Sequence, residues 1–307
     1  MVSLPEPIAS FVRWLPSEFS TASVLKRELK ARLVRPFVRQ DYETISYGER
    51  DWDTLVVLDA CRYDVFAANN PFTVPAERVN SNASHTSDFL SANFAGDHPD
   101  TVYVTASPQV ANHGGDFAHV EHVWRDGWDE ATDTVLPETM TDRALEVAQT
   151  HPEKRLIVHY MQPHYPFIGE AGADLAAQGS FLDGRADRAY PSVWERLDAG
   201  AADEAQVWDA YEENLRIALP EVQRLVEALD GKTVVTSDHG NLFGERVSPL
   251  PIDIYGHPPG IADEELTAVP WVELPFEQRR EIRKTETRSA TTDDGDVEER
   301  LESLGYV

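Results

Sequence analysis

Four short stretches of the chain bring together side chains that can hold a metal ion and attack an ester. DTLVVLDACRYD (53–64) closes an apolar run with Asp59 and continues to Arg62. SNASHTSDFLSANF (81–94) is rich in hydroxyls and carries Ser84 and Thr86. HYMQPHYPF (159–167) supplies His159 and His164, and TSDHGNLFGER (236–246) supplies Asp238 and His239. His257 follows in IYGHPPG (254–260). Each stretch alone has an ordinary structural explanation: a strand-terminal Asp caps the next helix, Asp-His-Gly makes a turn, and histidines pack in cores. Together they offer carboxylate oxygens, imidazole nitrogens and hydroxyls, the donor set that a divalent-metal ester hydrolase requires.

The elements that would position these residues read as alternating strands and helices. DTLVVLDA (53–60), TVYVTA (101–106), RLIVHYM (155–161) and KTVVTSD (232–238) are short apolar runs of the kind buried on both faces of a parallel sheet. Residues 138–150 and about 205–230 have helical spacing, the latter with Val207, Tyr211, Leu215, Leu219, Val222, Leu225, Val226 and Leu229 along one face. The pattern predicts an α/β/α sandwich with a mostly parallel central sheet. Ligands of such sheets bind beyond the carboxyl ends of the strands, where Asp59, His159 and Asp238 fall. The expected division is a basic amphipathic segment over 1–45, one α/β domain bearing these residues over 46–283, and an acidic linker and tail over 284–307. The Gly-, Ala- and Asp-rich residues 168–200 read as an excursion over the site.

Charge narrows the partners. The 307 residues include 54 acidic and 27 basic side chains, a net of -27, with lysine at only five positions. Such a surface repels nucleic-acid phosphates and disfavours nonspecific nucleic-acid binding. It suits solubility in concentrated salt and resembles the composition of haloarchaeal cytoplasmic proteins. Cys61 is the single cysteine, which rules out an intrachain disulfide and a thiolate zinc cage. No apolar run reaches the roughly 18 residues of a membrane span, and the first residues lack a signal layout. The expected compartment is the cytoplasm. Within residues 1–45, Lys26, Arg27, Lys30, Arg32, Arg35 and Arg39 alternate with Val24, Leu25, Leu29, Leu33 and Val34. Two readings stay open: peripheral contact with an anionic membrane or lipid-linked substrate, or docking on the acidic body of the chain itself.

The ordered motifs resemble those of the alkaline phosphatase/sulfatase superfamily, over roughly residues 52–307. VVLDACRYD is similar to the first metal-binding strand of sulfatase-like proteins, VVTSDHGNLFGER to their second metal motif, HYMQPHYPF to their His-x-Pro-aromatic strand end, and ERLESLGYV to their C-terminal ending. The resemblance implies one divalent ion (manganese, magnesium, calcium or zinc) held by Asp59, Asp238, His239 and the hydroxyl of Thr86. It further implies Thr86 as the metal-activated nucleophile, with Ser84 as the alternative. His164 and His257 would bind the nonbridging oxygens or protonate the leaving alcohol, and Arg62 would brace Asp59 or contact substrate. Two departures stand out. No Cys-x-Pro-Ser-Arg is present, which argues against a formylglycine mechanism, and Ala60 replaces the second acid of the family's Asp-Asp pair. The expected function is metal-dependent hydrolysis of a phosphate or sulfate ester on a small molecule, glycan or lipid-linked substrate. The alternatives are a phosphoglycerol- or phosphoethanolamine-type transferase acting on a glycan or lipid, and an inactive anionic-glycan binder or scaffold.

Overall fold

The computed structural model describes residues 29–38, 42–176, 192–247 and 252–284. In chain order, the first half comprises β1 (Thr54–Leu58), α1 (Tyr63–Asn69), β2 (Glu77–Asn80), α2 (Thr86–Asn93), β3 (Asp97–Thr105), α3 (Gln109–His113), β4 (Asp116–His122), β5 (Trp128–Asp129) and β6 (Thr134–Val135). It continues with α4 (Pro137–Thr150), β7 (Arg155–Tyr160), α5 (Glu170–Ala176), α6 (Val193–Asp198), α7 (Glu204–Ala228), β8 (Thr233–Ser237), β9 (Leu242–Arg246), β10 (Asp253–Gly256), α8 (Glu264–Thr267) and β11 (Ala268–Glu273).

Seven strands form one sheet in the order β2-β11-β8-β1-β7-β3-β4. Strands β8, β1, β7, β3 and β4 pair in parallel, whereas β11 runs antiparallel to both of its neighbours. The central strands β1 and β8 are buried along their whole length, which explains their unbroken apolar runs. Alternation sends Leu55, Val57, Ile157 and Val234 to one face, where Phe89 and Leu90 of α2 and Val110 of α3 pack on them. Val56, Leu58, Val158 and Val235 face the other way, toward Met140 and Ala144 of α4 and Val207, Tyr211 and Leu215 of α7. Helices on both faces make the α/β/α sandwich that the sequence predicts. The α/β elements read from sequence are present, and β2, β4, β5, β6 and the strands after Asn241 are additions.

Residues 29–34 are helical, and Ala31 and Val34 are buried against Leu242, Val247, Ile252, Ile254, Ile261 and Leu266. Lys30 pairs with Asp198, and Arg35 Nε donates to Pro259 O at 2.7 Å. This part of the basic segment therefore docks on its own chain; residues 1–28 lie outside the described residues. Of the 168–200 excursion, α5 and α6 are described and 177–191 are not, and the tail from residue 285 is likewise outside. Among the described residues, no helix is long and apolar enough to cross a membrane.

At the amino ends of the central strands, Asp53 is buried and accepts from Arg279 Nε at 2.7 Å, Arg279 Nη2 at 2.8 Å and the backbone N–H of Lys232 at 2.8 Å. Burial alone would raise the Asp53 carboxyl, but Arg279 and the N–H groups of Lys232 and Arg280 hold it below its ordinary value. A carboxyl depressed in the folded state binds fewer protons there than in the unfolded chain, so its stabilisation is present above the unfolded value and is lost as pH falls through the folded one. Asp53→Asn is therefore expected to cost about 1–3 kcal/mol at pH 7 and to flatten the acid limb of the stability curve. Denaturant unfolding of both proteins between pH 7 and pH 3 reads this out.

Candidate metal centre

The register of the sheet builds the centre. Leu58 pairs with Ser237, so the next residues, Asp59 and Asp238, leave adjacent parallel strands side by side. Both carboxylates are 0% exposed. Two neighbouring anions in a dry site are costly unless cationic charge joins them. His159 lies two residues beyond Ile157 on β7 and so faces the same side of the sheet as Val57 and Asp59. Its Nε2 is 3.8 Å from Asp59 Oδ2 and 3.8 Å from Asp238 Oδ2, and makes no hydrogen bond. Ligand atoms of Asp59, His159 and Asp238 all lie within 4.8 Å of one another.

The ionisation states suit a cation. Burial lowers His159 to about 4, leaving a neutral imidazole at pH 7. Burial alone would raise Asp238, but the His239 and His159 rings, the Ala60 N–H and the Thr86 hydroxyl hold its carboxyl below the ordinary value. His239 Nδ1 lies 2.7 Å from Gly240 O, and because a carbonyl only accepts, Nδ1 carries the proton and Nε2 offers a lone pair. That Nε2 is 3.3 Å from Asp238 Oδ2 and 3.8 Å from Asp59 Oδ1. His159 Nδ1 meets Tyr103 Oη at 2.8 Å, which leaves its Nε2 turned toward the carboxylates. The glycine after His239 is required sterically: a Cβ on Gly240 would sit 2.0 Å from Glu265 O.

Thr86 is the first residue of α2, whose N-cap, His85, accepts from Ser87 N at 3.2 Å. Phe89 and Leu90 anchor this helix in the core and so aim its first turn at the strand ends. Thr86 Oγ1 donates to Asp238 Oδ2 at 2.9 Å and lies 3.5 Å from Asp59 Oδ2 and 3.3 Å from His239 Nε2. The sequence-predicted Asp59, Thr86, Asp238 and His239 are thus brought together. His159 joins them, although sequence reasoning did not include it as a ligand. The available signal was its period-two alternation with Ile157 on the face that also carries Asp59.

His164 and His257 meet beside this cluster, with Nε2 atoms 3.3 Å apart. His164 Nδ1 donates to Tyr165 O, and His257 Nδ1 meets Asn241 Oδ1 at 2.9 Å. Asn241 Nδ2 donates to Leu242 O, which fixes Oδ1 as the acceptor from His257. Both Nδ1 atoms therefore carry protons, and the two Nε2 atoms face each other beside the centre. Burial pushes His164 down to about 3.

Two other residues are placed differently from the sequence expectation. Ser84 is buried with its Oγ bonded to Pro258 O and Ile261 N, both at 3.2 Å, so it ties down the 258–261 loop. Arg62 neither braces Asp59 nor keeps a donor for substrate. Its five N–H groups go to Asp64 (3.0 and 2.8 Å), Asn241 O (3.1 Å), Glu245 (2.5 Å) and Glu265 (2.8 Å), and its guanidinium lies 5.2 Å from the Trp208 ring centroid. It gathers α1, β9 and α8 around the centre. Ala60, in the position of the missing acid, takes a left-handed φ of 58° and donates its N–H to Asp238 Oδ1 at 3.0 Å.

No family model matches the chain, and no curated protein matches it. Among solved structures, the chain is similar to the integral membrane protein lipooligosaccharide phosphoethanolamine transferase A from Neisseria meningitidis (15% identity, TM-score 0.44), over 87% of this chain and 58% of that one. It therefore spans less than two thirds of that protein's length. It is also similar to the C-terminal periplasmic domain of phosphoethanolamine transferase EptC from Campylobacter jejuni (16% identity, TM-score 0.46, 76% of this chain and 82% of that one). A protein in the alkaline phosphatase superfamily from Vibrio parahaemolyticus is a further likeness (10% identity, TM-score 0.37, 82% and 70%).

Proposed function

We propose that the chain is a metal-dependent enzyme that cleaves a phosphate or sulfate ester through a covalent intermediate on Thr86. The observation that carries this reading is the position of Thr86 Oγ1, at a helix N-terminus and within 3.5 Å of Asp59, Asp238 and His239. Asp59, Asp238, His239 and Thr86 would hold a divalent cation, with His159 as a further donor. Mixed carboxylate, imidazole and hydroxyl donors fit manganese or zinc better than magnesium. When bound, the ion supplies Lewis acidity that lowers the pKa of a neighbouring hydroxyl.

The chain's own residues do the rest. Asp238 Oδ2 orients the Thr86 hydroxyl and would take its proton as Oγ1 attacks phosphorus or sulfur in line, forming the new ester bond as the bond to the leaving alcohol breaks, and would return it when the acceptor displaces Thr86. The first turn of α2 favours the anionic group next to Thr86. His164 and His257 would bind the nonbridging oxygens or pass a proton from solvent to the departing alkoxide, and the same pair can then take a proton from the incoming acceptor. Water as acceptor gives hydrolysis; an alcohol of a glycan or lipid gives transfer. The acidic surface favours small or glycan-linked esters over nucleic acid.

The test is turnover of p-nitrophenyl phosphate, a bis-p-nitrophenyl phosphodiester and p-nitrophenyl sulfate in high salt, with and without manganese. Metal-dependent release of p-nitrophenol is expected, and adding glycerol as acceptor separates transfer from hydrolysis by the products formed. Failure with all three esters, with manganese and equally with zinc, magnesium or calcium in its place, would sink the reading.

A further inference from the structure

Helix α7 contributes no candidate ligand, yet two of its fully buried residues carry polar side chains. Tyr211 and Asn214 are both 0% exposed and lie one turn apart on the face directed at the sheet. A fully buried helix position normally takes an apolar residue, and a hydroxyl or amide there is costly unless its hydrogen bonds are met. Here they are met by the two loops that carry the centre.

Tyr211 Oη donates to Ala60 O at 2.6 Å and accepts from Arg62 N at 2.9 Å. It therefore spans the left-handed turn that follows Asp59, the same turn whose Ala60 N–H holds Asp238 Oδ1. Asn214 Nδ2 points at three carbonyls of the His164 loop, Pro163 O at 3.2 Å, His164 O at 2.9 Å and Pro166 O at 3.4 Å, while its Oδ1 accepts from Ile168 N at 3.1 Å. Glu213, next to Asn214, adds to the pattern: its Oε2 accepts from Ala171 N at 2.8 Å. The two loops are themselves joined, since His164 N donates to Asp59 O at 3.1 Å.

We propose that α7 is the rigid template of the centre, with Tyr211 the positioning residue for the Asp59–Asp238 pair and Asn214 the positioning residue for His164. The inference rests on the metal-dependent reading above. Neither side chain touches a candidate ligand's donor atoms; each acts through the backbone of the loop. Sub-ångström placement of ligands and proton donors is what such outer contacts supply.

The experiment compares wild type, Tyr211→Phe, Asn214→Leu and a control, Val222→Ala, which removes buried apolar volume from the same helix. Three quantities are measured: Mn2+ affinity of the EDTA-treated protein by titration calorimetry, kcat and KM on the ester that the wild type turns over, and the unfolding midpoint of the metal-free protein. Tyr211→Phe is expected to weaken Mn2+ binding by about 10–100-fold. Asn214→Leu is expected to leave Mn2+ affinity within about 3-fold while lowering kcat by about 10–100-fold, with a displaced pH profile. Asn214→Ser replaces it if the leucine variant does not fold. Variants that match Val222→Ala in affinity and kcat at equal loss of stability would overturn the inference alone. A wild type that binds no Mn2+ would overturn it together with the reading of the centre.

Discussion

Thr86→Ala is expected to lower kcat by at least about 10^4-fold, the scale seen when a covalent nucleophile is removed. The protein itself should survive the change. The change removes one buried hydrogen bond, to Asp238 Oδ2, and one buried methyl, together a penalty of about 2 kcal/mol. Thr86→Ser keeps the oxygen at the helix N-terminus and should retain turnover within about 10-fold of wild type, with the loss in kcat rather than KM. A quench during turnover of the wild type should recover the transferred group on the peptide containing Thr86. Undiminished turnover in Thr86→Ala would remove it as nucleophile, and Ser84 would be a poor successor because its hydroxyl is bonded to the 258–261 loop.

Asp238→Asn should separate metal binding from folding. In the metal-free protein, Asp238 Oδ1 accepts from Ala60 N at 3.0 Å and His239 N at 2.9 Å, and an amide oxygen can accept both. The new NH2 would face Thr86 Oγ1, which can turn to accept. Removing one of two adjoining buried anions also relieves repulsion with Asp59. The depressed carboxylate contributes stability at neutral pH, so keeping these bonds limits the loss, and the metal-free variant is expected to unfold within about 1–2 kcal/mol of wild type. Its affinity for the ion should fall by at least about 100-fold. At an ion concentration of 100 times the wild-type Kd, wild type gains about 2.7 kcal/mol and the variant only about 0.4 kcal/mol. Thermal unfolding with and without Mn2+ measures both numbers. An equal metal-induced rise in the two proteins would show that Asp238 holds no ion.

Much of this centre was legible because parallel strands fully buried on both faces must be apolar until they end. A carboxylate closing such a run is conspicuous, which is why Asp59 and Asp238 stood out. Thr86 was harder, since its loop holds several hydroxyls; what selects it is the anchoring of Phe89 and Leu90 beneath α2, a tertiary fact. His159 sits inside a strand and reads as a core histidine until the register sets it opposite Val57. Arg62 was misread because its partners Glu245 and Glu265 are about 180 and 200 residues away, at separations of 183 and 203. Strand β11 carries a proline, Pro270, and pairs antiparallel on both sides, so the pattern for parallel strands does not find it. In the basic segment, spacing alone is the same for a helix lying on a membrane and for one packed on Leu242 and Ile254. Only the contacts of Ala31 and Val34 distinguish them for residues 29–38.

Asp59, Thr86, His159, Asp238 and His239 are each 0% exposed, and this has a kinetic meaning. In the closed protein neither a chelator nor the ester itself reaches an ion held among them, so both depend on the same local opening. Release must wait for the chain to open locally, an event whose frequency is set by the packing around the centre. The dissociation rate should then stop rising as EDTA is increased, levelling at the opening rate, and should quicken with mild denaturant. An ion taken up during folding would stay with the molecule for far longer than its equilibrium affinity alone implies.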